Sequence, residues 1–197
     1  MYYLKVKNLT LGYGNDIVIK NLNLSLKFNT NYQIIGRNGA GKSTLLDFIS
    51  NNFQGNFFDS RIEVERIRIL QISNKVTLIE NLSLMENCYY FTHEDSISKE
   101  SISLILEEYE VHHFKDELIQ NFSSGMVKRS ELALAQIINP EILCIDEPVN
   151  YLDNEGIEIL KKLLKKRTDN KKSNILSSQE SLDVFEDKYE IIDLNVY

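Results

Sequence analysis

The segment from residue 36 to residue 44 has the residue types and spacing of a loop that binds phosphate. It reads Gly36-Arg37-Asn38-Gly39-Ala40-Gly41-Lys42-Ser43-Thr44 and contains the pattern G-x-x-x-x-G-K-S/T. The glycines permit backbone angles that a Cβ forbids, so successive N–H groups can turn inward around an anion. Lys42 adds a positive charge near the β and γ phosphates, and Ser43 offers a hydroxyl to Mg²⁺. The loop therefore predicts a site for Mg·ATP.

Two acidic residues end an apolar run further along the chain. Asp146 and Glu147 follow Ile142-Leu143-Cys144-Ile145. A Mg²⁺ site needs a carboxylate, and Asp146 stands where a strand would meet the loop edge, so we predict it as the metal-side acid. Glu147 is expected to point another way and to polarise an attacking water. The alternative interpretation of this pair is a solvated acidic turn.

The apolar pattern predicts the elements that position these residues in the first part of the chain. Polar and apolar residues alternate through the first thirty residues, as in an antiparallel β piece with one face buried. Tyr32-Gln33-Ile34-Ile35 reads as a short strand that ends at the glycine loop, and residues 43–49 have helical spacing. A further strand is predicted at Ile67-Arg68-Ile69-Leu70.

The rest of the chain alternates helix and strand. Residues from about 83 to 137 are mostly helical by pattern, whereas 142–145 and Asn174-Ile175-Leu176 resemble central parallel strands. Between those strands a helical stripe ends in the basic run 165–167, which we interpret as a solvated helix end. Ile191-Ile192-Asp193-Leu194 is expected to form an edge strand. These elements predict an α/β core of mostly parallel sheet with flanking helices, an N-terminal antiparallel β part and an inserted helical lobe.

Composition narrows the class of protein. Hydrophobic residues make up 43% of the 197 residues, enough for one core, so we expect a single domain over 1–197 with a lobe at roughly 72–138. A formal charge of −7 lacks the basic face that nucleic acid requires, so no nucleic-acid partner is expected. No apolar run is long enough to span a bilayer, which predicts a cytoplasmic location. Cys88 and Cys144 have no metal-ligand spacing.

A third element lies between the loop and the acids, and with it the chain resembles the ATP-binding-cassette (ABC) family. Phe122-Ser123-Ser124-Gly125-Met126 is similar to the family signature Leu-Ser-Gly-Gly-Gln, with Ser123 and Gly125 retained. The resemblance implies that two cassettes, this chain and a second copy or a homologous one, pack head to tail. The signature residues of one, including Ser124 here, would then complete the γ-phosphate site of the other. A hydroxyl and a bare N–H at a helix N-terminus suit a phosphate oxygen.

The resemblance extends over nearly the whole chain. It implies that Tyr13 stacks on adenine, although a hairpin turn residue is an alternative interpretation. Gln71 resembles the glutamine that contacts Mg²⁺ and water and senses the membrane partner. Asp153, in the loop after the acid pair, would help couple the two sites of the dimer. The segment 82–87 is similar to the part near the transmembrane contact.

The departures from the family pattern concern activity. Gln179 stands where family members carry a switch histidine, and the histidines of this chain, His93, His112 and His113, fall in the predicted lobe. A glutamine can donate a hydrogen bond to the γ-phosphate, but it cannot carry positive charge or exchange a proton near neutral pH. Ser124 and Met126 also replace a glycine and a polar residue. We therefore predict slow hydrolysis and less tight closure.

Three functions are compatible with these residues. The preferred hypothesis is the ATPase subunit of a transporter, attached to the cytoplasmic face of the membrane through a permease on a separate chain. The second is a nucleotide-gated clamp that binds ATP and dimerises but turns over poorly because of Gln179. The third is a soluble cassette outside transport, because Asn150-Tyr151-Leu152-Asp153 is close to a form common in translation factors of the family.

Overall fold

The computed structural model contains one antiparallel sheet and one parallel sheet, with helices packed on them. It describes residues 1–58, 61–64, 67–73, 75–92, 97–186 and 188–196. His93 lies outside these residues. In the described residues no helix has both the length and the apolar character needed to cross a membrane.

The first sheet is antiparallel and is built on a long hairpin. Strand β1 (Tyr2–Tyr13) pairs with β2 (Asp16–Lys27), and the turn between them contains Gly14 at φ 59°. The short strands β4 (Asn56–Phe58) and β5 (Arg61–Val64) pair with the other edge of β1. This arrangement confirms the antiparallel β piece that the alternating pattern predicted.

The second sheet is parallel, with the strand order β6-β7-β8-β3-β9. Its strands are β3 (Asn31–Ile35), β6 (Ile69–Ile72), β7 (Ile142–Asp146), β8 (Ser173–Ser178) and β9 (Tyr189–Asp193). Every residue of β7 and β8 is buried, as expected for strands covered on both faces. Strand β6 begins two residues later than the predicted strand at 67–70, because its ladder to β7 runs from Ile69↔Ile142 to Ile72↔Ile145.

Apolar side chains cover both faces of the parallel sheet. On one face Cys144 and Ile175 join a core with helix α1 (Lys42–Ile49) and the antiparallel sheet. On the other face Leu143 and Ile145 pack with helix α5 (Asn154–Asp169) and the helices that precede β7. Helix α1 is therefore enclosed between the two sheets, and its N-terminus is fixed next to the ends of β3 and β7.

The segment between β6 and β7 is mainly helical, as its pattern predicted. It contains α2 (Leu84–Thr92), α3 (Lys99–Glu108), two short 3₁₀ turns and α4 (Ser124–Ile138). The boundaries of this lobe at 72–138 stay a prediction.

In the basic run at the end of α5, Lys165 and Lys166 are exposed as predicted, whereas Arg167 is buried. Arg167 is 3% exposed, and its guanidinium donates to Asn174 Oδ1 at 2.7 Å and to the Pro140 and Ser173 carbonyls at 3.1 and 3.2 Å. Burial lowers its pKa to about 10. The side chain thus ties α5 to the N-terminal edge of the parallel sheet.

Candidate functional site

The glycine loop connects β3 to α1 and has no room for side chains at two of its glycines. A Cβ at Gly41 would lie 2.8 Å from Ile19 Cγ1, and the residue has φ 94°. A Cβ at Gly36 would lie 3.0 Å from Ala40 Cβ. The backbone itself therefore forms the wall of the loop, which is what close approach of a phosphate requires. Arg37, Asn38, Gly39 and Ala40 line a groove of about 430 Å³ along this wall, and Thr44 lies in the first turn of α1.

Lys42 is held at the centre of the loop. Its side chain is 7% exposed, and Nζ donates to the Gly36 carbonyl at 2.8 Å and lies 3.8 Å from Glu147 Oε1. The loop carbonyls and the Glu147 carboxylate therefore fix the ammonium beside the loop.

The ends of α1, β7 and β8 bring Ser43, Asp146 and Ser177 together. The Ser43 hydroxyl donates to Asp146 Oδ2 at 2.6 Å, and the Ser177 hydroxyl donates to Asp146 Oδ1. Asp146 is 3% exposed. A hydroxyl and a carboxylate are hard oxygen ligands of the kind Mg²⁺ prefers, so these residues fit the metal. Ser177 is a partner that the motif-based prediction did not include.

Glu147 leaves the strand in a different direction from Asp146. It has φ 47°, a left-handed conformation uncommon for a non-glycine residue, and its N–H donates to the Ser177 carbonyl at 3.0 Å. Burial raises the pKa of Glu147 above its usual range and Asp146 raises it further, while Lys42 opposes both. The two neighbouring acids thus have different environments, as separate roles require.

The side-chain amide of Gln71 is hydrogen-bonded to residues other than Ser43 and Asp146. It lies within β6, and its Nε2 donates to Asp47 Oδ1 at 2.6 Å. Its Oε1, the atom that would ligate a metal, accepts from the Ser50 hydroxyl and from Asn52 Nδ2. The structure therefore brings Ser43 and Asp146 into contact but ties Gln71 to the last turn of α1 and the residues after it.

Tyr13 lies at the end of β1, and its ring is 44% exposed. Its centroid is 5.3 Å from that of Phe53, with the planes tilted by 60°. Tyr13, Ser43, Gln71 and Asp146 line one groove of about 490 Å³. The predicted aromatic residue and the predicted metal-side residues thus share one open space.

The signature segment lies apart from this groove. Ser123 caps α4, and its hydroxyl accepts from the Met126 N–H at 3.2 Å. Ser124 is exposed and lines a separate groove of about 340 Å³ together with Tyr151. A Cβ at Gly125 would lie 3.2 Å from the Tyr151 carbonyl oxygen. Ser123, Ser124 and Gly125 therefore do not line the groove that holds Ser43 and Asp146.

Asp153 and Gln179 lie on the loops near these segments. Asp153 caps α5, and its Oδ1 accepts from the Gly156 N–H at 2.8 Å and from Arg129 Nη2 at 2.8 Å. Arg129 lies on α4, the helix that begins at the signature segment and is called the signature helix below. Its bond to Asp153 joins this helix to the loop after the acid pair, and it also pairs with Glu110. Gln179 follows β8 with an exposed side chain.

A buried charged pair on α4 was missed by the sequence interpretation. Lys128 is 5% and Glu131 3% exposed, and Glu131 Oε1 accepts from the Thr77 N–H at 2.7 Å. Burial lowers the pKa of Lys128, while Glu131 and Asp146 oppose that shift. Glu131 thus connects α4 to the segment after β6. Its signal in the sequence is a Lys and a Glu three residues apart on the side of a helix that carries Leu132 and Ala135.

Known proteins resemble this chain in sequence and in fold. Residues 19–150 match the family model described as ABC transporter. The lantibiotic transport ATP-binding protein SrtF of Streptococcus pyogenes is 31% identical over 167 residues, which are 82% of this chain and 73% of that protein. The bacitracin transport ATP-binding protein BcrA of Bacillus licheniformis is 34% identical over 82% of this chain, a match that covers 56% of its own length.

Solved structures give the same result for the fold. A protein from Pyrococcus furiosus described as an ABC transporter ATP-binding protein superposes with a TM-score of 0.79 at 23% identity, over 98% of both chains. An ATP-binding cassette solved as a dimer in a post-hydrolysis state, with ADP and phosphate bound, gives a TM-score of 0.73 at 26% identity, over 90% of this chain and 88% of that one.

Proposed function

Since this chain belongs to the ABC transporter family, we propose that it is the ATP-hydrolysing subunit of a transporter whose membrane-spanning part is a separate chain. The observation that carries the proposal is the contact of Ser43 with Asp146 at 2.6 Å beside the buried ammonium of Lys42. A triphosphate needs a cation, free N–H groups and oxygen ligands for its metal in one place, and this corner of the sheet supplies all of them.

The residues of the loop bind the nucleotide. N–H groups of the loop surround the phosphates, apart from those of Gly36, Arg37 and Ala40, which are hydrogen-bonded within the protein. Lys42 neutralises part of the phosphate charge. Ser43 and Asp146 hold Mg²⁺, which when bound draws charge away from the β and γ phosphates. The half-exposed ring of Tyr13 stacks on adenine. Because the Gln71 oxygen is occupied by Ser50 and Asn52, a contact of Gln71 with the metal requires those hydrogen bonds to break first.

Glu147 acts as the general base. Burial raises the pKa of Glu147 from its ordinary value, which makes its carboxylate a stronger base than that of an ordinary glutamate. Its carboxylate faces Lys42 rather than the Ser43 hydroxyl, so it is free of the metal-side role of Asp146. Glu147 polarises the water that attacks the γ-phosphate.

Binding of ATP closes a dimer of two cassettes. Ser123, Ser124 and Gly125 are presented away from the groove of their own chain, which suits a contact with the nucleotide of the partner. Asp153 couples the two sites from its position at the N-terminus of α5. The partners are a second copy or a homologous cassette and a permease, which holds the chain at the cytoplasmic face of the membrane. The net charge of −7 supports a function without nucleic acid.

Phosphate release from Mg·ATP tests the proposal. We expect wild-type protein to release phosphate, and Glu147→Gln to lower the rate by about 10²- to 10⁴-fold while ATP binding is kept. Lys42→Ala should lose nucleotide binding, as measured by calorimetry. Glu180→Gln, which changes an exposed acid, is the matched control and should behave as wild type. Wild-type ATP affinity in Lys42→Ala would refute the assignment of the loop.

The exposed Gln179 favours a second candidate, the nucleotide-gated clamp. An amide at this position cannot supply the positive charge of an imidazolium beside the γ-phosphate. Gln179→His separates the candidates, because a large rise in phosphate release identifies the glutamine as a brake and supports the clamp. An unchanged rate in a protein that already turns over supports the transporter ATPase with a glutamine that suffices.

A further inference from the structure

The turn after β9 contacts the start of the phosphate loop. Strand β9 runs parallel to β3, with Ile35 opposite Asp193, so both strands end at the same edge of the sheet. The next residues form a 3₁₀ turn, Leu194–Val196. Leu194 is 2% exposed, and its Cβ would lie 3.3 Å from a Cβ at Gly36. The 3₁₀ turn therefore packs against the backbone of Gly36, where the phosphate loop begins.

Within this turn Asn195 makes a direct hydrogen bond to the loop. Its Oδ1 accepts from the Arg37 N–H at 3.0 Å. Its Nδ2 and its own N–H both donate to Asp193 Oδ1 at 2.8 Å. The carboxylate can only accept, so it fixes which end of the amide faces the loop. Asp193, Asn195 and the Arg37 N–H thus form a short chain of hydrogen bonds with one orientation.

The peptide between Gly36 and Arg37, whose N–H is bonded to Asn195, also positions Lys42. The Gly36 N–H donates to the Ser178 carbonyl at 3.3 Å, which fixes the loop from the side of β8. The Gly36 and Arg37 carbonyls accept from Lys42 Nζ at 2.8 and 3.4 Å. A rotation of the peptides at 36 and 37 would therefore move the ammonium that faces the phosphates.

We propose that Asn195, oriented by Asp193, is a positioning residue for the phosphate loop. It accepts the Arg37 N–H and so fixes the start of the loop in the form that binds ATP, without touching the nucleotide itself. The proposal rests on the ATP site proposed above. A preformed loop binds more tightly than one that must be ordered on binding. Loss of the hydrogen bond from the Arg37 N–H to Asn195, called the brace below, therefore weakens nucleotide affinity.

The test measures Mg·ADP binding by calorimetry, in which no hydrolysis occurs, and steady-state hydrolysis of ATP. Removing one hydrogen bond in Asn195→Ala should weaken ADP binding by about three- to tenfold. KM for ATP should rise by a similar factor while kcat changes little, because the brace acts on the loop and not on the reacting atoms. Asn170→Ala is the matched control. Asn170 is an exposed asparagine that donates to a backbone carbonyl at 2.7 Å on α5, and its variant should bind as wild type.

An exchange of side chains separates positioning from general damage to the fold. Asn195→Asp places two carboxylates against each other and should weaken ADP binding at least as much as Asn195→Ala. The double variant Asp193→Asn/Asn195→Asp restores an acceptor for Arg37 and a donor between the two residues, so it should recover most of the affinity. If Asn195→Ala does not fold, this pair of variants decides the question.

Two results would overturn the proposal. One is wild-type ADP affinity in Asn195→Ala when Lys42→Ala has lost binding. The other is a double variant that binds no better than Asn195→Asp. Wild-type binding in Lys42→Ala would instead refute the ATP site itself, so failure of the site and failure of the brace have different signatures.

Discussion

Helices α1 and α4 both begin at a short segment rich in glycine and serine, but their first N–H groups have different partners. No side chain caps α1, whose N-cap is Gly41 in a left-handed conformation. The N-terminus of α4 is capped by Ser123, which accepts from the Met126 N–H. Orphan N–H groups at a helix N-terminus are a site for an anion. The phosphate loop therefore presents a site that is already open, whereas the signature helix must exchange its own cap for a ligand.

The two helices are also anchored differently. Leu45, Leu46 and Ile49 bury the inner side of α1 in an apolar core. Helix α4 buries the charged pair Lys128 and Glu131 in addition to its apolar residues. An apolar anchor holds a helix without strict geometry, but a buried carboxylate such as Glu131 depends on a fixed hydrogen-bond partner, here the Thr77 N–H. The difference indicates a fixed nucleotide loop and a signature helix whose position depends on the segment around Thr77.

The largest effect on this contrast is expected for Glu131→Ala. It would leave the Thr77 N–H buried without its acceptor and remove a negative charge that favours the buried Lys128 ammonium, which should lower the free energy of unfolding by about 1–3 kcal/mol. Urea unfolding measures the loss.

The matched control for that variant is Glu158→Ala. Glu158 pairs with Lys161 at the same spacing of three residues, but on an exposed surface, so its loss should have little effect. The double variant Lys128→Met/Glu131→Leu should recover only the part of the loss that comes from the buried Lys128 charge, because the Thr77 N–H still has no acceptor. Equal losses in Glu131→Ala and Glu158→Ala would show that α4 is not anchored by its charged pair.

Substitution of Ser123 should have a smaller effect on stability, and it should separate the capping of α4 from the proposed contact with the nucleotide of a partner. Ser98 caps α3 with the same geometry, accepting from the Ser101 N–H at 3.2 Å. Loss of either cap should cost about 1 kcal/mol of unfolding free energy. Only Ser123→Ala should also slow ATP hydrolysis, because only Ser123 is proposed to contact the nucleotide of a partner. If both variants hydrolyse ATP at the same rate, the Ser123 hydroxyl has a structural role alone.

The sequence identifies those parts of the site whose residues are close along the chain. The phosphate loop, the pair Asp146 and Glu147 and the strands that carry them follow from local spacing and apolar runs. Ser177 could not be assigned in this way, because it meets Asp146 only through the pairing of β7 with β8. The hydrogen bond of Asn195 to Arg37 likewise depends on β9 lying beside β3.

Local patterns also gave one incorrect environment and one incorrect strand boundary. Arg167 belongs to a basic run, but the end of α5 meets the sheet edge and buries it. Gln71 was expected to follow a strand. The register of β6 with β7 places it inside the strand, where it lines one groove with Ser43 and Asp146 and bonds to Asp47 and Asn52. Its contact with Mg²⁺ stays a prediction. In both cases the position is decided by how one element packs on another, α5 on the edge of the parallel sheet and β6 on β7 and α1, and a local pattern carries no information about such packing.

The smallest expected effect is a shift in the pH profile of kcat/KM for ATP hydrolysis. Glu147 must be deprotonated to act as a base, so kcat/KM should fall as the pH falls through its pKa. Burial, aided by Asp146 and opposed by Lys42, holds that pKa above the ordinary value of about 4.3 for a glutamate. The acidic limb of the kcat/KM profile should therefore lie at higher pH than an ordinary glutamate gives. Glu180→Gln, with the change at an exposed acid, should keep the limb in place, and circular dichroism at each pH separates titration from unfolding. A limb at the ordinary glutamate value would mean that the environment of Glu147 does not tune it as a base, and the contrast between the phosphate-loop site and the capped signature helix would then not extend to acid–base chemistry.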